Sequence, residues 1–347
     1  MKNFDKYILV ERATVKDALI ALNNLSGDNA QTLFVVDNSR KITGSLTDGD
    51  VRRGLIKGYT LDHSVMDIMN RDFSYIFENK EDVSEIRDMR SKKIKLLPVL
   101  NKNGEITDIL DLKNNISVLP VDAILMAGGK GERLKPLTEK IPKPLLEVGG
   151  KAIIDYNIKN LLLYGVKHIS VTVNYQREQI EKHIEREFQD VKITCVREPE
   201  YLGTMGSVKL IDSLFHDTCL IMNSDLFTNI NLEHFFLHFQ KHQAEMSIAV
   251  IPYSVSVPYG IFELDGRNII GLKEKPTYDY FANAGIYLVK KTILELIPRN
   301  TYYDATDLME CLIEKKRKII RFPLTGYWID IGKQEDYKKA QELVKHL

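Results

Sequence analysis

Cysteine is scarce in this chain, tryptophan scarcer, and neither sign of charge prevails. The three cysteines, Cys195, Cys219 and Cys311, are far apart and odd in number. That excludes a disulfide framework and a zinc knuckle, and it fits a reducing cytoplasm. Lys+Arg and Asp+Glu both total 48, so no global field recruits nucleic acid or a membrane surface. No stretch approaches the roughly 18 apolar residues of a membrane span. The opening residues, Met1 to Arg12, lack the apolar core of a signal peptide. A cytoplasmic location is therefore expected. No Gly-x-x-x-x-Gly-Lys-Ser/Thr phosphate loop is present, and no convincing His–Asp pair announces itself. Apolar content of 44% and charged content of 28% are ordinary, and 347 residues suit about two domains.

What is present centres on residues 123–145. The apolar run Ile124-Leu125-Met126 stops at Gly128-Gly129-Lys130-Gly131. The run reads as a buried parallel strand, and the glycines permit a tight turn with exposed N–H groups. Such a loop suits an anion. Lys130, Arg133, Lys135, Lys140 and Lys143 add positive charge, and Pro142 and Pro144 restrict the backbone around Lys143. A plain glycine turn with solvated lysines is the alternative. Leu134 stands where a dinucleotide fingerprint needs its third glycine. What remains is Gly-Gly-x-Gly-x-Arg-Leu-x-Pro-x-Thr followed by Pro-Lys-Pro. This closely resembles the signature of the sugar-1-phosphate nucleotidyltransferases. Glu132 departs from it, because most of that family has threonine there.

The remainder of residues 121–347 is expected to form the transferase domain. Ile154, Ile158, Leu161 and Leu162 make one helical face, and Ile180, Ile184 and Phe188 another. Strands are predicted at His168–Val173, Val191–Val196 and Cys219–Met222. Alternating strand and helix predicts an α/β fold with a mostly parallel, doubly wound (Rossmann-like) sheet and a crevice at its carboxyl ends. The family resemblance then implies roles. Asp225 and Asp330, the latter in Trp328-Ile329-Asp330-Ile331-Gly332, would hold Mg²⁺. Arg133 and the glycine N–H groups of Gly128, Gly129 and Gly131, with Lys130, would take the NTP phosphates. Lys143 would neutralise charge near the reaction centre, and Lys275 would hold the sugar phosphate. Tyr259, Gly260, Glu274, Asn283 and Gly285 match the sugar side. Glu198, Gly203, Thr204 and Gly206 match the base-reading turn. Many relatives that use UTP, dTTP or ATP place glutamine in that turn. Here only Glu198 and Glu200 are offered, and a carboxylate is acceptor-only. Guanine alone presents two adjacent donors, so GTP is the expected donor. The implied reaction joins a sugar-1-phosphate and an NTP into an NDP-sugar and pyrophosphate.

The first third repeats itself. Thr14 with Asp17 predicts a capped helix, followed by strands at Thr32–Val36 and Ile42–Leu46 and a helix through Leu55. Val83–Met89, Leu96–Leu100 and the turn Asn101–Gly104 recapitulate the pattern. Lys41-Ile42-Thr43 and Glu105-Ile106-Thr107 fall at equivalent positions. Residues 1–115 resemble a tandem pair of CBS domains, with a linker at 116–120. The resemblance implies an adenine nucleotide at Gly44, Thr47 and Asp50. Asp108, Asp111 and Asn114 stand at the equivalent positions of the second copy, where acidic groups would repel phosphate. A CBS pair fused to this transferase resembles glucosamine-1-phosphate guanylyltransferases of legionaminic acid pathways. Mannose- and heptose-1-phosphate guanylyltransferases are the alternatives, and a homo-oligomer is expected. A non-catalytic nucleotide-sensing regulator would have lost a metal aspartate or a phosphate lysine. Arg133, Lys143, Asp225, Lys275 and Asp330 are all present.

Overall fold

In a computed structural model, which describes residues 4–25, 30–78 and 82–347, the apolar run before the glycines forms the strand Asp122–Ala127. It lies third in a seven-stranded sheet. The order is Ile193–Arg197, His168–Val173, Asp122–Ala127, Thr218–Asn223, Thr277–Lys290, Met246–Ser256, Ile319–Pro323. Only Thr277–Lys290 runs antiparallel to its neighbours. Asp122–Ala127 pairs in parallel on both sides, with His168–Val173 and with Thr218–Asn223. Its apolar continuity follows, since a central parallel strand is covered on both faces. The chain leaves this strand toward one neighbour and later returns on the other side, so its carboxyl end is a topological switch point.

The amphipathic segments form the helices Ile153–Leu163 and Arg177–Glu187. They bury Ile154, Ile158, Leu161, Ile180 and Ile184, while Leu162 is half-buried. The strand predicted at Val191–Val196 starts later than expected, at Ile193. Val191 instead donates its N–H to Phe188 in the preceding turn. Beyond the sheet, Met246–Ser256 and Thr277–Lys290 run on as a two-stranded ribbon. Between them lies a separate hairpin, Ile261–Asp265 with Asn268–Lys273.

The chain divides into two units, Met1–Leu119 with Leu163–Gly165, and the rest. The first unit holds two three-stranded sheets of one design. Ile8–Val10, Thr32–Val36 and Ile42–Thr47 make the first; Ile76–Phe77, Leu96–Leu100 and Ile106–Asp111 make the second. Each has a parallel pair, then an antiparallel pair with a bulge at the matching place. Thr43 donates to the Val35 carbonyl at 3.3 Å, and Thr107 to the Val99 carbonyl at 3.2 Å. The equivalent residues Lys41 and Glu105 bridge to one another. The copies differ after the third strand: the first continues into the helix Asp48–Ile56, the second into a turn capped by Asp111.

Candidate active site

A cleft of about 600 Å³ opens at the carboxyl ends of Asp122–Ala127 and Thr218–Asn223. The glycine loop forms one wall. Gly131 adopts φ 64°, and the Thr138 hydroxyl donates to its carbonyl at 2.8 Å, closing the loop. A Cβ on Gly128 would strike the Glu198 carboxylate, which would have to shift. Lys130, Glu132 and Arg133 also line the cleft. Glu132 makes no ion pair among the described residues and stays exposed at the rim. Gly332 lies close to Arg133: a Cβ there would lie 3.3 Å from its guanidinium.

Asp225 and Asp330 meet at the cleft floor. The short strands Leu226–Thr228 and Trp328–Asp330 pair antiparallel, with Leu226 opposite Asp330. Two loops remote in sequence are thereby joined. Asn157 donates to the Ser224 carbonyl at 3.0 Å, and the Ser224 hydroxyl donates to the Met126 carbonyl at 2.8 Å, which pins the Asp225 turn to the central strand. The Lys143 ammonium, carried by a turn between Pro142 and Leu146, ion-pairs with Asp225 and lies 3.5 Å from Asp330. Burial and the neighbouring Asp225 push the Asp330 carboxyl above its ordinary value, opposed by Lys143 and Arg133. The other Asp225 oxygen, Oδ1, is buried with no hydrogen-bond partner. Two carboxylates thus face one ammonium, with an acceptor to spare. Among the described residues no third His, Cys, Asp or Glu completes a metal-ligating group.

The opposite wall is the Glu198–Gly206 turn. Glu198 is 2% exposed; burial raises its pKa, opposed by the Leu202 amide and the Thr172 hydroxyl. Its Oε2 accepts from Leu202 N–H at 3.2 Å. Glu200 is exposed and does not line the cleft, so of the two glutamates in this turn Glu198 faces it. Gly203 and Thr204 line the cleft, whereas Gly206 packs behind the turn, where a Cβ would meet the Thr301 carbonyl at 2.5 Å. Sequence reasoning missed what holds this turn. Asp304 accepts from Thr204 N–H at 2.9 Å and from its hydroxyl at 3.1 Å, and the Tyr303 carbonyl accepts from Met205 and Gly206. Asp304 also caps the helix Ala305–Glu314 with Asp307, the only local signal it carries. Tyr201, Ser207 and Asn223 also line the cleft.

The expected sugar-side residues are not in the cleft. Tyr259, Gly260, Glu274 and Lys275 stand at the base of the hairpin and are exposed. Asn283 uses its side chain locally, donating to the Tyr287 hydroxyl and accepting from Gly285 N–H, both at 2.9 Å. Gly285, at φ 71°, makes room for the cleft residue Asn223. A His–Asp pair does exist, His183 Nε2 at 2.7 Å from Asp155 Oδ1, but neither residue lines the cleft.

The first unit has its own cleft of about 640 Å³, lined by Thr32, Thr47, Asp48, Gly49, Phe73 and Lys95 among others. Thr47 lines it, but Gly44 and Asp50 do not. Gly44 abuts Met69, and Asp50 forms the capping box with Thr47 and an ion pair with Arg53 at 2.5 Å.

A family model described as nucleotidyl transferase matches residues 122–346. The chain is 30% identical over 224 residues to the mannose-1-phosphate guanylyltransferase catalytic subunit beta of Danio rerio, covering 62% of each. It is 26% identical over 231 residues to the D-glycero-alpha-D-manno-heptose 1-phosphate guanylyltransferase of Aneurinibacillus thermoaerophilus, covering 65% of this chain and 99% of that protein. The chain therefore spans less than two thirds of the first relative and nearly all of the second. The crystal structure of HddC from Yersinia pseudotuberculosis superposes with a TM-score of 0.52 at 25% identity, covering 65% of this chain and 99% of that one.

Proposed function

This chain belongs to the nucleotidyl transferase family, and from that premise we propose that it transfers a guanylyl group from GTP to a sugar-1-phosphate. One observation carries the reading: the glycine loop, Arg133, Lys143 and the Asp225–Asp330 pair converge on a single cleft. A phosphate monoester has its second pKa near about 6 and is largely dianionic at neutral pH. Its oxygen attacks the α-phosphorus unaided, the bond to the bridging oxygen of the β-phosphate breaks, and pyrophosphate leaves with the electron pair. No general base is required, which suits a cleft without a His–Asp pair. Catalysis is then positioning and charge stabilisation. The glycine N–H groups and Arg133 hold the β- and γ-phosphates. Lys143, already drawn to two carboxylates, neutralises charge at the reacting phosphates. Lys275, exposed at the base of the hairpin and outside the cleft lining, is assigned the sugar phosphate on the family resemblance.

Asp225 and Asp330 fit Mg²⁺: both are hard oxygen donors, and Asp225 Oδ1 lacks a partner. A bound Mg²⁺ would supply positive charge at the α-phosphate and the sugar phosphate.

GTP is the proposed donor because Glu198 lies on the cleft wall with only acceptors to offer. Guanine's adjacent N1–H and N2–H₂ suit it, whereas other bases would set an acceptor against it. Such mispairing costs about 1–3 kcal/mol, or roughly one to two orders of magnitude in affinity. The acceptor we propose is glucosamine-1-phosphate, on the fused architecture. Mannose- or heptose-1-phosphate is the second reading, supported by the activities for which the relatives are named. Pyrophosphate release from four NTPs against these three sugar phosphates tests both. GTP should show the highest kcat/KM and Glu198→Gln should erode that preference. A higher value with UTP, CTP, dTTP or ATP in the wild type would refute the guanine assignment.

We read the first unit as a CBS pair that binds an adenine nucleotide. Its support is the doubled sheet design and the cleft beside Thr47. A ribose at Asp50 must displace Arg53.

A further inference from the structure

The turn that follows the glycine loop is held from outside the cleft. There the chain makes one short helical turn, Leu137–Glu139, whose last carbonyls have no donor within the turn itself. Three successive carbonyls are met from one place, the junction of the strand His168–Val173 with the helix Arg177–Glu187. The Tyr175 hydroxyl lies 3.5 Å from the Thr138 carbonyl. Gln176 Nε2 donates to the Glu139 carbonyl at 2.8 Å, and Gln179 Nε2 donates to the Lys140 carbonyl at 3.0 Å. These side chains are also tied to one another. Gln176 Nε2 reaches the Tyr175 hydroxyl at 3.0 Å, and Gln179 Nε2 donates to Gln176 Oε1 at 3.2 Å.

Gln176 is an unusual residue for its place. It stands at the N-cap of its helix, where Ser, Thr, Asp or Asn would satisfy a free N–H. Its side chain makes no capping bond. Its backbone adopts φ 49°, a left-handed conformation that costs any residue but glycine energy. The helix alone would be better served by a capping side chain or by glycine. Both departures have one result: the amide reaches across to Glu139 instead.

From there the brace leads to the cleft in one step. Thr138 is 1% exposed, and its hydroxyl holds the Gly131 carbonyl at 2.8 Å. Gly131 is wedged, since a Cβ on it would lie 3.0 Å from the Thr138 methyl and 3.2 Å from Lys143 Cβ. A shift of Thr138 is therefore felt by the glycine loop and by Lys143 together. Thr138, Gln176 and Gln179 lie outside the cleft lining themselves. We propose that Gln176 is a positioning residue for the glycine loop: through Glu139 and Thr138 it fixes where the loop's N–H groups point. This rests on the reading of that loop as the seat of the β- and γ-phosphates.

Inorganic pyrophosphate reads the loop directly, so it is the probe. Calorimetric titration of the full chain with pyrophosphate and Mg²⁺ compares the wild type with three variants. Gln176→Glu keeps the shape and replaces the donor by an acceptor. Gln176→Gly removes the amide and suits the backbone. Gln176→Lys restores a donor, and Lys93, Lys275 and Lys316 show that lysine takes this left-handed conformation in the same chain. Gln176→Glu and Gln176→Gly should each weaken pyrophosphate binding about tenfold and raise the KM for GTP about as much, leaving the KM for sugar-1-phosphate unchanged. Gln176→Lys should stay within about twofold of the wild type. Gln176→Gly should melt within about 2 °C of the wild type, because relief of backbone strain offsets the lost bond. Wild-type affinity in either of the first two variants overturns the proposal, and so does a Gln176→Lys variant as weak as they are. Equal rises in both KM values overturn it in favour of a general loss of structure. Binding is read without turnover. A chain that binds pyrophosphate with this dependence on Gln176 yet transfers nothing keeps the positioning role and loses the transfer reading. A wild type that binds no pyrophosphate overturns both.

Discussion

Asp330 carries opposing demands of stability and chemistry. Burial and Asp225 raise its pKa. An acid with a raised folded-state pKa contributes stability that is full below its unfolded value, near 3.8, and is lost as pH climbs through the raised one. At neutral pH the ionised group therefore opposes folding. Asp330→Asn should raise Tm at pH 7, an advantage that fades below about pH 4. The side chain is 38% exposed, so solvent screening keeps the gain to about 1–3 °C. Turnover should fall by about two orders of magnitude or more. Added Mg²⁺ should raise the wild-type Tm but not the variant's, since only a folded site binds it. Near-wild-type turnover in the variant would sink the assignment. Asp330 was visible as a motif carboxylate. Its raised pKa was not, because burial and the approach of Asp225 are properties of the packed molecule.

Among the elements, the segment Thr301–Ala305 does the least obvious work. It supplies no cleft wall, yet Tyr303 and Asp304 hold the Gly203–Gly206 turn from behind. Against the burial that would raise it, the Tyr302 hydroxyl and the Thr204 donors keep the Asp304 carboxyl below its usual value. Asp304→Ala should destabilise the protein by about 1–3 kcal/mol through loss of the helix cap and of the Thr204 bonds. Released from its anchor, the turn should raise the KM for GTP about tenfold while the KM for sugar phosphate stays put. An equal change in both KM values would point to a general loss of structure instead. In the sequence Asp304 reads only as the cap of a helix, since its second task involves a turn 100 residues earlier.

For the whole molecule, the cut falls between Leu119 and Pro120, and every residue assigned to the transfer reaction follows it. A chain beginning at Pro120 should keep the proposed transfer activity within about tenfold of the full chain. An adenine nucleotide should alter the rate of the full chain and leave the shortened one indifferent. Complete inactivity of a shortened chain that still melts cooperatively would place an essential group in the first unit. Equal response of both chains to the nucleotide would place its site in the second.

The glycine loop, the strand that feeds it and the alternation of strand and helix could be read from residues alone, because each is written in adjacent positions. Turn chemistry and amphipathic periodicity are local, and so the internal repeat of the first unit showed through as well. The meeting of Asp225 with Asp330 was implied by the family resemblance and not by the neighbouring residues, since it depends on two three-residue strands, Leu226–Thr228 and Trp328–Asp330, finding each other across the chain. The exposure of Tyr259, Glu274 and Lys275 could not be read, because their motifs say nothing of where a hairpin carries them. The two faces of that hairpin came from strand register, which decides whether Phe262 and Leu272 or Glu263 and Lys273 share a side. Register is set by pairing partners and bulges, and those exist only once the chain has folded.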